Sequence, residues 1–376
     1  MVRLTRDRNM NPPNPMKASL SRFRAAIFLS ALALATRLSA DQATGTLDVY
    51  WVDSEGGGST LVVTPAGESV LIDAGTPGTA GRVVTAAREV AGLKGIDYAI
   101  VTHFHTDHFG GVPVVAAGIP IAHLWDNGIP DADPDHNPDT GFWRSVSQPY
   151  RKLTLPHHLV GAGDLVPLSQ RPDSPRLSMR CLGARQRFVD APAGAPRNPL
   201  ESENIPHEVD TTDNANSNVW VIEFGPFRMF DGGDLTWNME GRLVTPVNLV
   251  GQVDVYQVDH HGLGFSNNPV LIHSLAPTVA VMNNGPTKGT APVTVQGLRS
   301  SPGIQAIYQV HRNVRPGEEP NNTADEYIAN MGSDSGKCPA NLIRMSVAPD
   351  GRSYTIEIAA RNRKRTYATR LDKVVP

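Results

Sequence analysis

After residue 40 the hydrophobic positions fall into short runs cut by turn residues. Leu47-Asp48-Val49-Tyr50-Trp51-Val52, Thr60-Leu61-Val62-Val63 and Ser69-Val70-Leu71-Ile72-Asp73 are β-rich, with Gly56-Gly57-Gly58 between the first two. That pattern predicts a meander of antiparallel strands. From Ala80 to Ala91 the apolar residues recur at helical spacing, and Tyr98-Ala99-Ile100-Val101-Thr102 then reads as a buried strand. Further strands are predicted at Asn218 to Glu223, Phe227 to Phe230, Val253 to Val258 and Val279 to Met282, with a helix from Pro269 to Leu275. A last pair covers Ile343 to Val347 and Tyr354 to Ala359, joined by the Pro349-Asp350-Gly351 turn. Asp126 to Pro138 and Ala191 to Asn216, rich in Pro, Asp and Asn, read as surface loops. The order βββ, αβ, ββ and more αβ suggests an α/β fold, with two sheets face to face and helices outside.

Residues 1–40 have a different texture. Arg22 and Arg24 precede an apolar run from Ala25 to Ala35, and Leu38-Ser39-Ala40 ends in small residues, the build of a secretory signal. The run falls well short of the ~20 residues that a helix needs to span a bilayer, which argues against a permanent membrane anchor. The expectation is a periplasmic or secreted protein whose mature body is residues 41–376, with a C-terminal extension after about 290.

Charge then narrows the partners. The leader holds seven of the 34 Lys and Arg residues and one of the 37 Asp and Glu residues, so the remainder carries 27 cations against 36 acids, a net charge of −9. An acidic body repels polyanions at long range. Arg361, Arg363, Lys364, Arg365 and Arg370 form a local basic cluster, read as a solvated face, and no stable nucleic-acid binding is expected. Cys181 and Cys338 are the two cysteines, too few and too far apart for a thiolate zinc site; whether they pair depends on a distance the sequence withholds.

The chemistry concentrates in Thr102-His103-Phe104-His105-Thr106-Asp107-His108-Phe109-Gly110-Gly111, where three imidazoles and one carboxylate share six positions at the end of a predicted strand. Imidazole nitrogen and carboxylate oxygen suit zinc, manganese or iron, and so dense a set suggests two metals. Phe230-Asp231-Gly232-Gly233-Asp234 and Asp259-His260-His261-Gly262 each follow a β-rich run and offer the remaining ligands. Asp234 is assigned as the bridging carboxylate. His261 is assigned as a terminal ligand, with His260 as the other choice or as its supporting partner. Lys288, in Asn283-Asn284-Gly285-Pro286-Thr287-Lys288-Gly289, and His311, in Tyr308-Gln309-Val310-His311, are candidates to face the substrate. No dinucleotide fingerprint follows a strand.

The His103-to-His108 run, Asp234 and His261 resemble the ordered metal motifs of the metallo-β-lactamase superfamily. Within it, Leu47 to Gly285 is most similar to the hydrolase domain of competence-type DNA-uptake channels. Asp53-Ser54-Glu55-Gly56-Gly57-Gly58 matches that group's opening motif in part, and Asn214-Ala215-Asn216-Ser217 matches its Asn-x-x-Ser motif. The resemblance implies an αββα sandwich with Asp73 orienting a ligand. It also implies Asn214 at a ligand position, although His123, His136, His157, His158 or His207 are alternatives there. By the same token it implies hydrolysis by a metal-bound hydroxide, with Asp107 as catalytic residue, on phosphodiesters of a small or single-stranded substrate. Carboxylic ester, lactone or lactam hydrolysis, and a non-catalytic secreted metal-binding role, are the competing expectations.

Overall fold

The computed structural model describes residues 44–332 and 338–375. The expected leader, residues 1–40, lies outside the described residues. The strands are β1 (Leu47–Trp51), β2 (Thr60–Val63), β3 (Ser69–Ile72), β4 (Ile96–Ile100), β5 (Ile121–Asp126), β6 (His157–Leu159), β7 (Leu177–Ala184), β8 (Arg187–Phe188) and β9 (Val219–Phe224). They continue as β10 (Phe227–Asp231), β11 (Val255–Gln257), β12 (Val279–Met282), β13 (Ala306–His311), β14 (Ile328–Asn330), β15 (Ile343–Val347), β16 (Ser353–Ile358) and β17 (Arg363–Ala368). Among the described residues they make two sheets, ordered β17-β16-β15-β1-β2-β3-β4-β5-β6 and β14-β13-β12-β11-β10-β9-β7-β8.

Strand β1 shows how the residue pattern builds the layers. Its side chains alternate between faces, and both faces are buried. Leu47, Val49 and Trp51 enter the core shared by the two sheets, where they join Met179, Trp220, Phe227 and Val279 of the second sheet. Tyr50, with Val52 just beyond, points the other way, into a layer with Val83, Val115 and Trp143. Those three belong to helices α1 (Ala80–Thr85), α3 (Val112–Gly118) and α4 (Thr140–Arg151); the short α2 (Thr106–Phe109) precedes α3. The outer face of the second sheet is covered by α5 (Trp237–Val244), α6 (Pro269–Leu275) and α7 (Pro292–Ser300), through Leu243, Ile272 and Leu298. The result is an αββα sandwich, the architecture expected from the element order.

Several elements differ from the sequence pattern. The helix predicted over Ala80 to Ala91 holds α geometry only to Thr85 and continues as a wider π turn, Ala86–Val90. Leu177–Ala184, where Ser178, Arg180 and Gly183 dilute the apolar signal, forms β7 and pairs with β9. The stretch after about residue 290 contributes α7 and strands to both sheets, with β15 paired directly to β1. Much of the basic cluster is engaged within the fold. Arg363 and Arg365 donate to the Tyr327 hydroxyl, Arg361 to the Ile328 carbonyl, and Arg370 to the carbonyls of Val253 and Ala276. Both cysteines are free thiols, Cys181 buried in β7 and Cys338 partly exposed. Among the described residues no helix is long and apolar enough to cross a membrane.

Parallel pairing decides where chemistry can collect. β3, β4 and β5 run parallel in one sheet, and β10, β11, β12 and β13 run parallel in the other. Within each set the carboxyl ends therefore lie along one edge, where the loops can hold a site on a rigid base.

Candidate metal centre

Each of those edges delivers one part of the site. The loop leaving β4 carries His103 and His105, and α2 carries Asp107 and His108. The loop leaving β10 carries Asp234. The turn leaving β11 carries His260 and His261, both in the left-handed backbone region, at φ 51° and 57°. Such backbone costs on the order of 1–3 kcal/mol per residue, and surrounding contacts must hold it in place. Here the hold comes from Tyr256, whose hydroxyl accepts from the Asp259 N–H, and from Asn267, whose amide donates to the Asp259 carbonyl.

The donors converge closely. His108 Nε2 lies 3.2 Å from Asp234 Oδ2, 3.8 Å from Asp107 Oδ2 and 3.1 Å from His261 Nε2. His261 Nε2 is 3.3 Å from Asp234 Oδ2 and 3.5 Å from Asp107 Oδ2, while His103 Nε2 is 4.0 Å from Asp234 Oδ2. Two overlapping groups of suitable ligand atoms result, His103 with His108 and Asp234, and Asp107 with His108 and His261. His260 Nε2 lies 3.5 Å from Asp234 Oδ2. His105 stands beside His103, ring centres 4.7 Å apart, but its Nε2 is 2.7 Å from Asp135 Oδ2 and it belongs to neither group.

Supporting groups fix the rings. Asp73 Oδ2 is 2.7 Å from His108 Nδ1 and also accepts from the Thr102 hydroxyl, while Asp73 Oδ1 accepts from the Thr102 N–H. Asn283 Oδ1 lies 3.2 Å from His261 Nδ1, and Ser266 Oγ lies 3.0 Å from His260 Nδ1. The glycine turn after β1 closes on the same residues. A Cβ on Gly58 would come within 2.6 Å of His108 Nδ1 and 2.8 Å of Asp73 Oδ2, so only a bare backbone fits there.

The electrostatics follow from this crowding. Burial pushes His103 well below the usual imidazole range, with the neighbouring His108 and His105 adding to the shift. Burial opposes charge on His108 as well, but the carboxylates of Asp234, Asp73 and Asp107 outweigh it and raise that ring strongly. Burial likewise works against ionised Asp107 and Asp234, and the surrounding imidazoles, with Lys288 beside Asp107, hold both well below the carboxylate range.

A divalent cation suits these residues on the structure's own evidence. His103 Nε2 and Asn214 Oδ1 are buried with no hydrogen-bond partner. Two imidazole nitrogens, those of His108 and His261, face each other across 3.1 Å among ionised carboxylates. Buried polar atoms are normally satisfied, and nitrogen and oxygen donors gathered as closely as those of His103, His108, His261, Asp107 and Asp234 are what zinc, manganese or iron requires.

The other sequence candidates take different places. Asn214 sits in the single turn Asp213–Asn216, which Asp213 pins to the His run by accepting from the Phe104 N–H at 2.6 Å. Ser217 Oγ, the other member of that motif, is also buried without a partner. Lys288 Nζ lies 2.5 Å from Asp107 Oδ2, and its side chain is about one third exposed. His311 is buried at the end of β13, its Nε2 2.6 Å from Asp53 Oδ1, and so does not face solvent. Asp53, His311 and Cys338 form a third group of possible ligand atoms, but Arg82 and the Glu55 N–H already donate to Asp53, which satisfies that carboxylate as an ion-paired structural acid. Of the alternative histidines, His123 stacks on Tyr98, His157 pairs with Asp126 and His158 with Asp164.

Sequence reasoning missed Asp135. It was legible only as one of several acids in the loop Asp126 to Pro138. Nothing in the sequence shows that its Oδ1 accepts from the Asp213 N–H while its Oδ2 holds His105, tying both loops to the centre.

Comparison with known proteins gives a family match over part of the chain. The model of the "Metallo-beta-lactamase superfamily" matches residues 53–196. No curated relative matches the sequence. Among solved structures, MEM-A1, a subclass B3 metallo-beta-lactamase from a soil metagenome library, is similar at 14% identity and a TM-score of 0.35, over 57% of this chain and 76% of that one. A HARLDQ-motif mutant metallo-beta-lactamase from Cronobacter sakazakii is similar at 15% identity and a TM-score of 0.30, over 53% and 70%. CmlA, a diiron beta-hydroxylase from Streptomyces venezuelae, is similar at 15% and 0.39, over 70% of this chain and 52% of that one. Likenesses of this size assign no substrate to the present chain.

Proposed function

We propose that this chain is a metal-dependent hydrolase of the metallo-β-lactamase superfamily, a reading supported by the match over residues 53–196, and that it cleaves a carboxylic ester, lactone or lactam bond in a small substrate. One observation carries the choice of bond. The cavity that meets the centre at His260 and Asn214 has Val209, Leu263 and Phe265 in its walls and no Lys or Arg among its lining residues. A phosphodiester chain brings negative charge that such walls do not balance.

His103, His105, His108, Asp107, Asp234 and His261 would hold two divalent ions, with Asn214 and His260 beside them. When bound, the ions supply Lewis acidity and lower the pKa of water. The chain's own residues do the rest. Asp73 accepts a hydrogen bond from the Nδ1–H of His108, which leaves the Nε2 lone pair facing the centre, and Asp135 accepts correspondingly from His105 Nε2–H. His108 and His261, with Lys288 Nζ beside them, keep the Asp107 carboxylate ionised, so that Oδ2 acts purely as an acceptor that orients the attacking water.

A phosphodiester substrate is the second reading. It is favoured by Lys288, a partly exposed cation beside Asp107, and by the resemblance of Asn214-Ala215-Asn216-Ser217 to the competence-type hydrolase motif. Export, with removal of residues 1–40, belongs to the proposal and is carried by the sequence of that segment alone. It is checked by the N-terminus of the protein recovered from the periplasm or the medium.

The experiment compares p-nitrophenyl acetate with bis-p-nitrophenyl phosphate, using protein loaded with zinc or manganese and Asp107→Ala as control. Ester turnover that disappears in the control supports the first reading. Phosphodiester turnover that falls in Lys288→Ala moves the assignment to the second. Metal bound with neither substrate turned over would overturn both and leave a metal-binding protein without catalysis.

A further inference from the structure

The same cavity says more than which charges it excludes. It encloses about 620 Å³, within the roughly 300–1,000 Å³ of small-molecule sites. Its apolar side chains are unusually open to solvent, with Phe265 72% and Val209 71% exposed. In the same lining the His207 ring stacks on Trp237, centroids 3.8 Å apart and 9° from coplanar. That stack is built in: Asn238 accepts from the His207 N–H and donates to its carbonyl, and Trp237 Nε1 donates to the Ile205 carbonyl.

The aromatic wall also begins one ring away from the metal centre. The Phe265 ring centre is 6.5 Å from that of His260, and His260 Nε2 is 3.5 Å from Asp234 Oδ2. A group resting against Phe265 would therefore sit beside the place where the bond is cut. Glu208 and Asp210 line the same cavity, so its charged walls are acidic, and the cation Lys288 is not among its lining residues. An anionic arm is disfavoured there by like charge, whereas a neutral ring meets aromatic and aliphatic surface.

We propose that this groove is the subsite for an uncharged aromatic arm of the substrate, with Phe265, Val209 and the His207–Trp237 stack as the residues that set specificity. The proposal rests on the ester-hydrolase reading above. Hydrolysis would break the acyl C–O bond, with the oxygen of water passing to the acyl carbon. The products are the arylacyl carboxylate and the alcohol or phenol, with one proton released to solvent.

The test separates the groove from the reaction. Zinc-loaded protein is assayed with p-nitrophenyl acetate, phenylacetate and hemisuccinate, and phenylacetamide binding is followed by saturation-transfer NMR without turnover. The expected result is a kcat/KM for the phenylacetate ester roughly tenfold or more above the acetate, lying mainly in KM, with the hemisuccinate poorest. Phe265→Ala should abolish that preference and the phenylacetamide signal, and Phe265→Tyr should restore both. Because Phe265 is exposed, neither variant threatens folding. If no ester is turned over but phenylacetamide binds wild type and not Phe265→Ala, the subsite stands and the ester reading falls. Ester turnover without preference among the arms, or preference and binding unaltered in Phe265→Ala, would overturn the subsite.

Discussion

Replacing Asp73 with asparagine changes one oxygen to NH₂ in a side chain that is 3% exposed, and the surrounding bonds decide the consequence. Asp73 has three donors to serve: the Thr102 N–H at 2.8 Å, the Thr102 hydroxyl at 2.7 Å and His108 Nδ1 at 2.7 Å. An amide offers one oxygen. If that oxygen stays on the Thr102 N–H, the new NH₂ faces His108, whose Nδ1 must then accept. The proton moves to Nε2, the atom that lies 3.2 Å from Asp234 and 3.1 Å from His261, and no lone pair is left for a metal. If the amide flips, the Thr102 N–H is buried without an acceptor, at a cost of about 1–3 kcal/mol. In the first arrangement the expected loss in zinc affinity is about 10–100-fold, or ~1.4–2.7 kcal/mol. Competition against a chromophoric chelator measures it, with metal analysis for stoichiometry and circular dichroism for the fold. A well-folded Asp73→Asn protein that binds zinc within twofold of wild type would refute the tautomer argument.

Three further outcomes are expected. Gly58→Ala would drive a methyl group to 2.6 Å from His108 Nδ1 and should cost about 1–3 kcal/mol in urea unfolding together with metal content; unchanged stability and zinc stoichiometry would show that the turn is not held as described. Dialysis against a chelator should lower the Tm, and added zinc should raise it with concentration, by about 2.7 kcal/mol of stability at a hundred times Kd; a Tm indifferent to zinc would argue against a metal at the buried donors. Burial pushes the Cys181 thiol up to about 12 and the Cys338 thiol up to about 11. Because these folded-state values lie above the ordinary thiol range, the stability they contribute is complete below about pH 9 and is lost as pH rises toward 11 and 12. Native protein should therefore react slowly with a thiol reagent at pH 8 and faster toward pH 11, Cys338 first, whereas two fast equivalents at pH 8 would contradict the burial.

Much of this molecule was written locally. The two-sheet α/β architecture could be read from short apolar runs and turn residues, because alternation over a few positions already fixes which side chains share a face. The run from His103 to His108 was legible for the same reason: its four candidate ligands lie within six positions, and their density is visible without a fold. Asp234 and His261 were legible as donors at strand ends. Their meeting with His108, within 3.2 Å and 3.1 Å, was decided by the parallel register of β10 and β11 and by two left-handed residues in sequence. Only the tertiary structure selected Asp135 from its acidic loop, buried His311 against Asp53, and brought Phe265 and the His207–Trp237 stack to one cavity. Those contacts join segments 30 to 258 residues apart. Local preference sets which element forms, but packing between distant elements sets which side chains meet, and such meetings leave no periodic trace in a single sequence.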